Sequence, residues 1–127
     1  MNDLQEALLK ANDNLESAKA LLEIGFEEGA VNRTYYAYFW AVRGVLLEKD
    51  IFVKSHSGTQ SKFAEHFIKT GIVAEKYGKY LGRLEDKRVL ADYEFDTHFS
   101  KEEVQEMIEW TQEFLDYIKQ DIDKFML

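Results

Sequence analysis

Apolar residues along this chain recur at steps of three and four rather than in alternation, and the absence of proline leaves the periodic segments long and uninterrupted. The first segment runs from about Asp3 to Ile24, where Leu4, Leu8, Ala11, Leu15, Ala18 and Leu22 form the seam of a bundle helix. Gly25 follows as its breaker. The second, about Glu28 to Lys49, carries YYAYFWAV from Tyr35 to Val42, which is apolar or aromatic all round and predicts a central helix. A short third helix starts at Ser55 or Ser57, whose hydroxyls suit a cap, and ends near Gly71 after burying Phe63, Phe67 and Ile68.

A fourth helix, about Val73 to Asp92, has its stripe at Val73, Tyr77, Tyr80 or Leu81, Leu84, Arg88 and Ala91. Ser100 and Glu103 form an S-x-x-E capping box that opens a long last helix, with Val104, Ile108, Thr111, Leu115, Ile118, Ile122 and Phe125 on one face. The pattern predicts an all-α fold: an up-and-down helical bundle of four long helices plus one short one, crossing at about 20°.

Length and composition refine this picture. At 127 residues, with nothing resembling a Pro-, Gly- or Ser-rich linker, residues 1–127 are expected to form a single domain. Nine Phe, seven Tyr and two Trp predict an aromatic-rich core. With no cysteine, disulfides, thiolate zinc sites and a Cys nucleophile are excluded. The segment Met1 to Lys10 is polar and amphipathic, and no apolar run approaches a membrane span, so the expected location is cytoplasmic with no membrane partner.

A net charge of −8 argues against nucleic-acid binding by bulk electrostatics, although local basic patches are compatible with it. Lys76, Lys79, Arg83, Lys87 and Arg88 form one such run, which is either a patch or simply a solvated helix face.

The inward phase of Arg88 is unusual, because a guanidinium stays charged and must find carboxylates, carbonyls or a phosphate. Asp92 lies one turn on, with Tyr93 beside it; R-V-L-A-D-Y either holds an anionic ligand or locks one helix to another. In N-R-T-Y-Y-A at Asn32 to Ala37, Arg33 and Tyr36 share a face, so Tyr36 either presents its hydroxyl to a groove or packs, while Tyr35 follows the apolar stripe. Phe39 and Trp40 are either core or interface.

His56, His66 and His98 do not stand three or four apart from one another, and no E-x-x-H is present, so neither zinc nor a di-iron centre is expected and no cofactor is predicted. His56 lies between two serines at a helix start, where an anion is readily received, though a capping role for its neighbours is the simpler account. Gly-rich phosphate loops and G-x-S-x-G elbows are absent.

Taken together, A-V-N-R-T-Y-Y-A-Y-F at Ala30 to Phe39, K-S-H-S-G at Lys54 to Gly58 followed by A-E-H-F-I-K-T-G, and R-V-L-A-D-Y at Arg88 to Tyr93 resemble the HEPN domain, in its UPF0332-type branch. The resemblance covers nearly the whole chain. It implies a helical, typically homodimeric bundle, often paired with a minimal nucleotidyltransferase in a toxin–antitoxin system. In many relatives it also implies a metal-independent ribonuclease with an R-x4-6-H site at the dimer cleft. Here the positions five to seven residues after Arg33, Arg43, Arg83 and Arg88 hold no histidine, so the usual imidazole for moving a proton at the ribose hydroxyl is missing.

Three readings follow. The first is a component that binds a nucleotide, RNA or a partner nucleotidyltransferase through Arg33, Tyr36, His56, Arg88, Asp92 and Tyr93. The second is a ribonuclease toxin using His56 as base with Arg33 or Arg88 beside the phosphate. The third is a structural dimerisation module in which Arg88 and Asp92 only lock helices together.

Overall fold

The computed structural model describes residues 1–126. Its elements are α1 (Asp3–Glu23), α2 (Glu27–Glu48), α3 (His56–Phe63) running into a π-helical turn at Ala64–Ile68, α4 (Glu75–Tyr93), α5 (Lys101–Gln120) and the single turn α6 (Ile122–Phe125). The expected helical bundle is the observed architecture. α2 is its axis: it pairs with α1 along most of its length and packs against α4 and α5 on its other sides, and α1 also meets α5. Among the described residues, no helix is long and apolar enough to cross a membrane.

The helix ends follow from local chemistry. Asn2 accepts from the Gln5 amide at 2.8 Å while the Gln5 side chain accepts from the Asn2 amide at 3.1 Å, a reciprocal cap for α1. Gly25, at φ +86°, closes α1 as predicted, with Phe26 N–H bonded to Leu21 O at 2.8 Å and Gly25 N–H to Leu22 O at 3.1 Å. Asp50 closes α2 in the same way at φ 59°. Ser55, rather than Ser57, caps α3, its Oγ accepting from Gly58 N–H at 2.9 Å.

Four details differ from the expected pattern. α3 does not continue regularly toward Gly71: Lys69 N–H bonds Ala64 O, a five-residue step, and the wider turn still delivers Phe67 to the core beside Phe63. α4 begins at Glu75, so Val73 is buried from the preceding turn, and it is Leu81, not Tyr80, that reaches the core. The last helix breaks at Asp121, and α6 folds Phe125 back to within 6.0 Å of the Phe67 ring centroid. Ser100 caps α5 at 3.0 Å, but the Glu103 carboxylate that was to complete the box bonds Lys87 at 3.2 Å instead.

The core is aromatic. Tyr38 stacks on Phe114 at 4.3 Å, Phe63 and Tyr77 close around the same ring, and the buried Tyr38 hydroxyl donates to Tyr77 O at 2.8 Å. Each fully buried ring of this kind contributes about 2 to 3 kcal/mol. Thr34 and Thr111, polar within the seams, bond the carbonyls one turn back.

Candidate functional site

α2 is apolar nearly all round, so the few polar side chains it carries are held where its neighbours leave gaps. Arg33 and Tyr36 face the junction with α1 and the start of α3, and Asn32 faces α4. The tight turn before α3 delivers His56, and the inward phase of α4 delivers Arg88.

Arg88 is only 7% exposed. Its Nη2 donates to Glu85 at 2.7 Å and its Nη1 to Asp92 at 3.1 Å, so one cation is matched by two carboxylates of its own helix. Burial alone would lower its pKa, but hydrogen bonds to Glu85 and Asp92 outweigh that and raise it, keeping the guanidinium charged. The guanidinium lies 5.1 Å from the Tyr35 ring centroid. Asp92 also accepts from Asn32 at 3.2 Å, fastening the end of α4 to α2.

Tyr35 connects this ion cluster to the histidine. Its ring is buried and its hydroxyl sits 2.6 Å from His56 Nδ1. Burial, and then the neighbouring Glu85 carboxylate, push that hydroxyl far above the ordinary tyrosine range, so it stays protonated. Its single proton serves either His56 or Glu85. A His56 protonated on Nδ1 would donate to the Tyr35 oxygen, leaving the tyrosine O–H, still protonated, directed toward the Glu85 side. Glu85 Oε2 and Arg88 Nε are buried and make no well-formed hydrogen bond to the described residues. The charged end of this chain is therefore tightly enclosed.

Arg33 differs from Arg88 in kind. Its donors go only to neutral oxygens, Asn14 Oδ1 at 2.9 Å and Asn32 Oδ1 at 2.7 and 3.1 Å, and its guanidinium lies 5.2 Å from the Tyr36 ring centroid. Its positive charge is uncompensated by any ion pair among the described residues. Tyr36 and His56 are both half-buried, with ring centroids 6.0 Å apart. Neither the Tyr36 hydroxyl nor His56 Nε2 makes a hydrogen bond among the described residues.

Arg33, Tyr36, His56, Arg88 and Asp92, singled out in the sequence, thus stand together. Tyr93 stands apart, 74% exposed at the end of α4. Three members of the cluster had not been singled out as site residues. Asn14 breaks the α1 seam with an amide, Glu85 sits one turn before Arg88 on the same face, and Tyr35 carries a hydroxyl within an apolar stripe. In each case a polar group in an apolar phase was the available signal.

The other candidates resolve differently. In the basic run on α4, Lys76 pairs with Glu113 at 2.6 Å and Lys87 with Glu103 at 3.2 Å on α5 and Arg88 pairs within its own helix, while Lys79 and Arg83 make no ion pair among the described residues. His66 pairs with Glu65 at 3.1 Å and His98 is exposed. A cleft of about 620 Å³ between α1 and α5 is lined by Lys19, Glu23, Lys101, Glu102 and Glu106 among others, and includes none of the cluster residues. Among the described residues, no group of three or more His, Asp or Glu is arranged to hold a metal.

Comparison with known proteins places the fold. The HEPN domain model matches residues 4–121. A UPF0332 protein of Thermotoga maritima is 37% identical over 114 residues, covering 90% of this chain and 86% of the relative. Two Methanocaldococcus jannaschii proteins named as toxin candidates are 33% and 32% identical; the alignments cover 92% and 98% of this chain and 80% and 92% of theirs. A crystal structure of a Thermus thermophilus protein superposes with a TM-score of 0.78 at 20% identity, covering 94% of this chain and 98% of the other, which is a likeness of fold. The bundle with its three motif segments therefore belongs to the HEPN domain family, among the UPF0332 proteins.

Proposed function

We propose that this chain is the toxin-like member of a toxin–antitoxin-like pair and that it binds RNA, through a phosphate and an adjacent base, at the face formed by Arg33, Tyr36 and His56. The observation that carries this reading is the contrast between the two arginines. Arg88 is matched by Glu85 and Asp92, whereas Arg33 is held in place by neutral amides that fix its direction and leave its charge for an anion. Tyr36 offers a ring face for stacking and a hydroxyl, and His56 offers Nε2. Arg88 and Asp92 then form the wall that holds Tyr35 and the end of α4. Tyr93 lies outside this face, exposed at the end of α4 like Val89, Leu90 and the following Phe95.

The relatives named as toxin candidates support the toxin side of this reading. A minimal nucleotidyltransferase is the proposed partner. A homodimer formed over the exposed apolar end of α4, acting in the cytoplasm, is the proposed assembly.

A second reading is favoured by one distance. With Nδ1 fixed 2.6 Å from the Tyr35 hydroxyl, His56 has a set orientation and a free Nε2, as a general base for metal-independent ribonuclease chemistry requires.

One experiment addresses both. The purified protein and its Arg33→Ala and His56→Ala variants are incubated with labelled tRNA and mRNA fragments without metal, scoring retention and cleavage. Binding lost in Arg33→Ala without cleavage by any form supports the first reading, and cleavage abolished in His56→Ala supports the second. No binding by the intact folded protein refutes both.

A further inference from the structure

Resting on that RNA-binding reading, we propose that the outer face of α2 extends the site into a track for single-stranded RNA, running from Arg33 and Tyr36 along Trp40 to Arg43, with Lys10 of α1 on its flank. The spacing 33, 36, 40, 43 is one helical stripe. It is half-exposed throughout, and ten residues of helix carry it over about 15 Å.

Two independent features of the stripe converge on this ligand. The first is charge. On a chain of net charge −8, Lys10, Arg33 and Arg43, like Lys79, Arg83 and several other surface cations, make no ion pair among the described residues, and here three such cations border one stripe. All three instead lie over aromatic rings: Lys10 Nζ 4.2 Å and the Arg43 guanidinium 5.0 Å from the Trp40 centroid, and Arg33 5.2 Å from that of Tyr36. The second is the placement of two planar rings, Tyr36 and Trp40, between the cations Arg33 and Arg43. A backbone phosphate is met by each cation, and a base by each ring, only in a strand whose bases are unpaired. Lys10 and Arg43 have long flexible side chains that swing from the indole toward phosphate while the ring, packed on the core, stays in place. A duplex keeps its base faces stacked internally and gains only the charge term.

The test uses the full chain with a Trp110→Phe background, so that Trp40 is the remaining indole. Labelled single-stranded RNA hexamer, dinucleotide and an RNA hairpin are titrated, reading anisotropy and Trp40 emission. The expected result is tighter binding of hexamer than of dinucleotide or hairpin, with quenching of Trp40. Arg43→Ala and Trp40→Leu should each remove about tenfold of the hexamer affinity and leave dinucleotide affinity unchanged.

Dinucleotide binding without a gain for the hexamer, or a gain untouched by either variant, refutes the track while leaving the Arg33 site standing. Equal affinity for inorganic polyphosphate and hexamer reduces the stripe to an electrostatic patch and also refutes it. A change of oligomeric state in Trp40→Leu or Arg43→Ala, seen by light scattering, makes this face a protein interface and overturns the proposal. Absence of any nucleotide or RNA binding removes the reading beneath it, and the track with it.

Discussion

The Tyr35 hydroxyl lies 2.6 Å from His56 Nδ1, joining the middle of α2 to the first residue of α3. Because burial and Glu85 keep that hydroxyl protonated, and because Arg88 lies over the same ring, a single tyrosine orients the imidazole and backs the guanidinium.

Tyr35→Phe keeps the ring and removes only the hydroxyl. The expected cost is about 1 to 2 kcal/mol in urea unfolding, since Glu85 and His56 both lose a neighbour. The more specific consequence is at His56: nitrogen chemical shifts of its ring should show altered Nδ1 protonation, and RNA affinity should fall while the circular dichroism stays helical. A variant with unchanged imidazole shifts would show that the short contact does not orient His56.

Arg88 and its carboxylates form a partly buried ion cluster, and removing one member leaves the others uncompensated. Arg88→Ala should lose about 2 to 4 kcal/mol, because Glu85 is then enclosed without a counter-charge. The double variant Glu85→Gln/Arg88→Met should recover much of that loss, as apolar replacement of an internal ion pair commonly does. Equal destabilisation of single and double variants, compared by urea midpoint, would assign the cost to lost packing instead.

The helices, their seams and most of their ends were legible because a helix buries a stripe whatever it packs against; the Leu4 to Leu22 seam and the Ser100 cap are examples. Arg88 was legible as inward-facing from its phase alone. Asp92 was legible as its partner one turn on. Glu85 was not, because nothing local tells which carboxylate of an acid-rich chain the fold will enclose. The Tyr35–His56 contact depends on the turn between α2 and α3, where periodicity carries no information. The π turn after Phe63 and the break at Asp121 were invisible for the same reason, since both preserve the apolar phase that Phe67 and Phe125 obey.

Glu113 links stability to pH. The Lys76 ammonium 2.6 Å away lowers its pKa from the ordinary 4.5, burial opposes this, and the neighbouring Tyr77 hydroxyl lowers it further. A carboxyl whose folded pKa is depressed contributes stability that is present above its unfolded value and is lost as pH falls through the folded one. Glu113→Gln should therefore lower the urea midpoint at neutral pH and converge with the parent as pH falls through the lowered folded pKa of Glu113. The effect should be small and diminish in salt, because Glu113 and Lys76 are 41% and 52% exposed. A difference that persists unchanged in acid would assign it to the amide's geometry rather than to charge.

Gly44 and Gly82 both lie inside helices, so propensity alone predicts that alanine at either stabilises the fold by about 1 kcal/mol. Their surroundings predict opposite signs. A Cβ at Gly44 would stand 2.6 Å from Ala7 Cβ and 3.1 Å from Leu4 Cδ1, where α2 packs directly on α1. Ala7 Cβ is fixed to its backbone and cannot rotate away, so the helices must separate, at an overpacking cost of about 1 to 3 kcal/mol that outweighs the propensity gain. At Gly82 a Cβ meets nothing within 4 Å, and only the gain remains. Gly44→Ala should therefore lower the urea midpoint and Gly82→Ala raise it, in the same buffer and with the same m-value. If Gly44→Ala were instead as stable as the parent, α1 and α2 would have to relax apart freely, and the Asn14–Arg33 hydrogen bond that spans the same pair of helices would lose its rigid support.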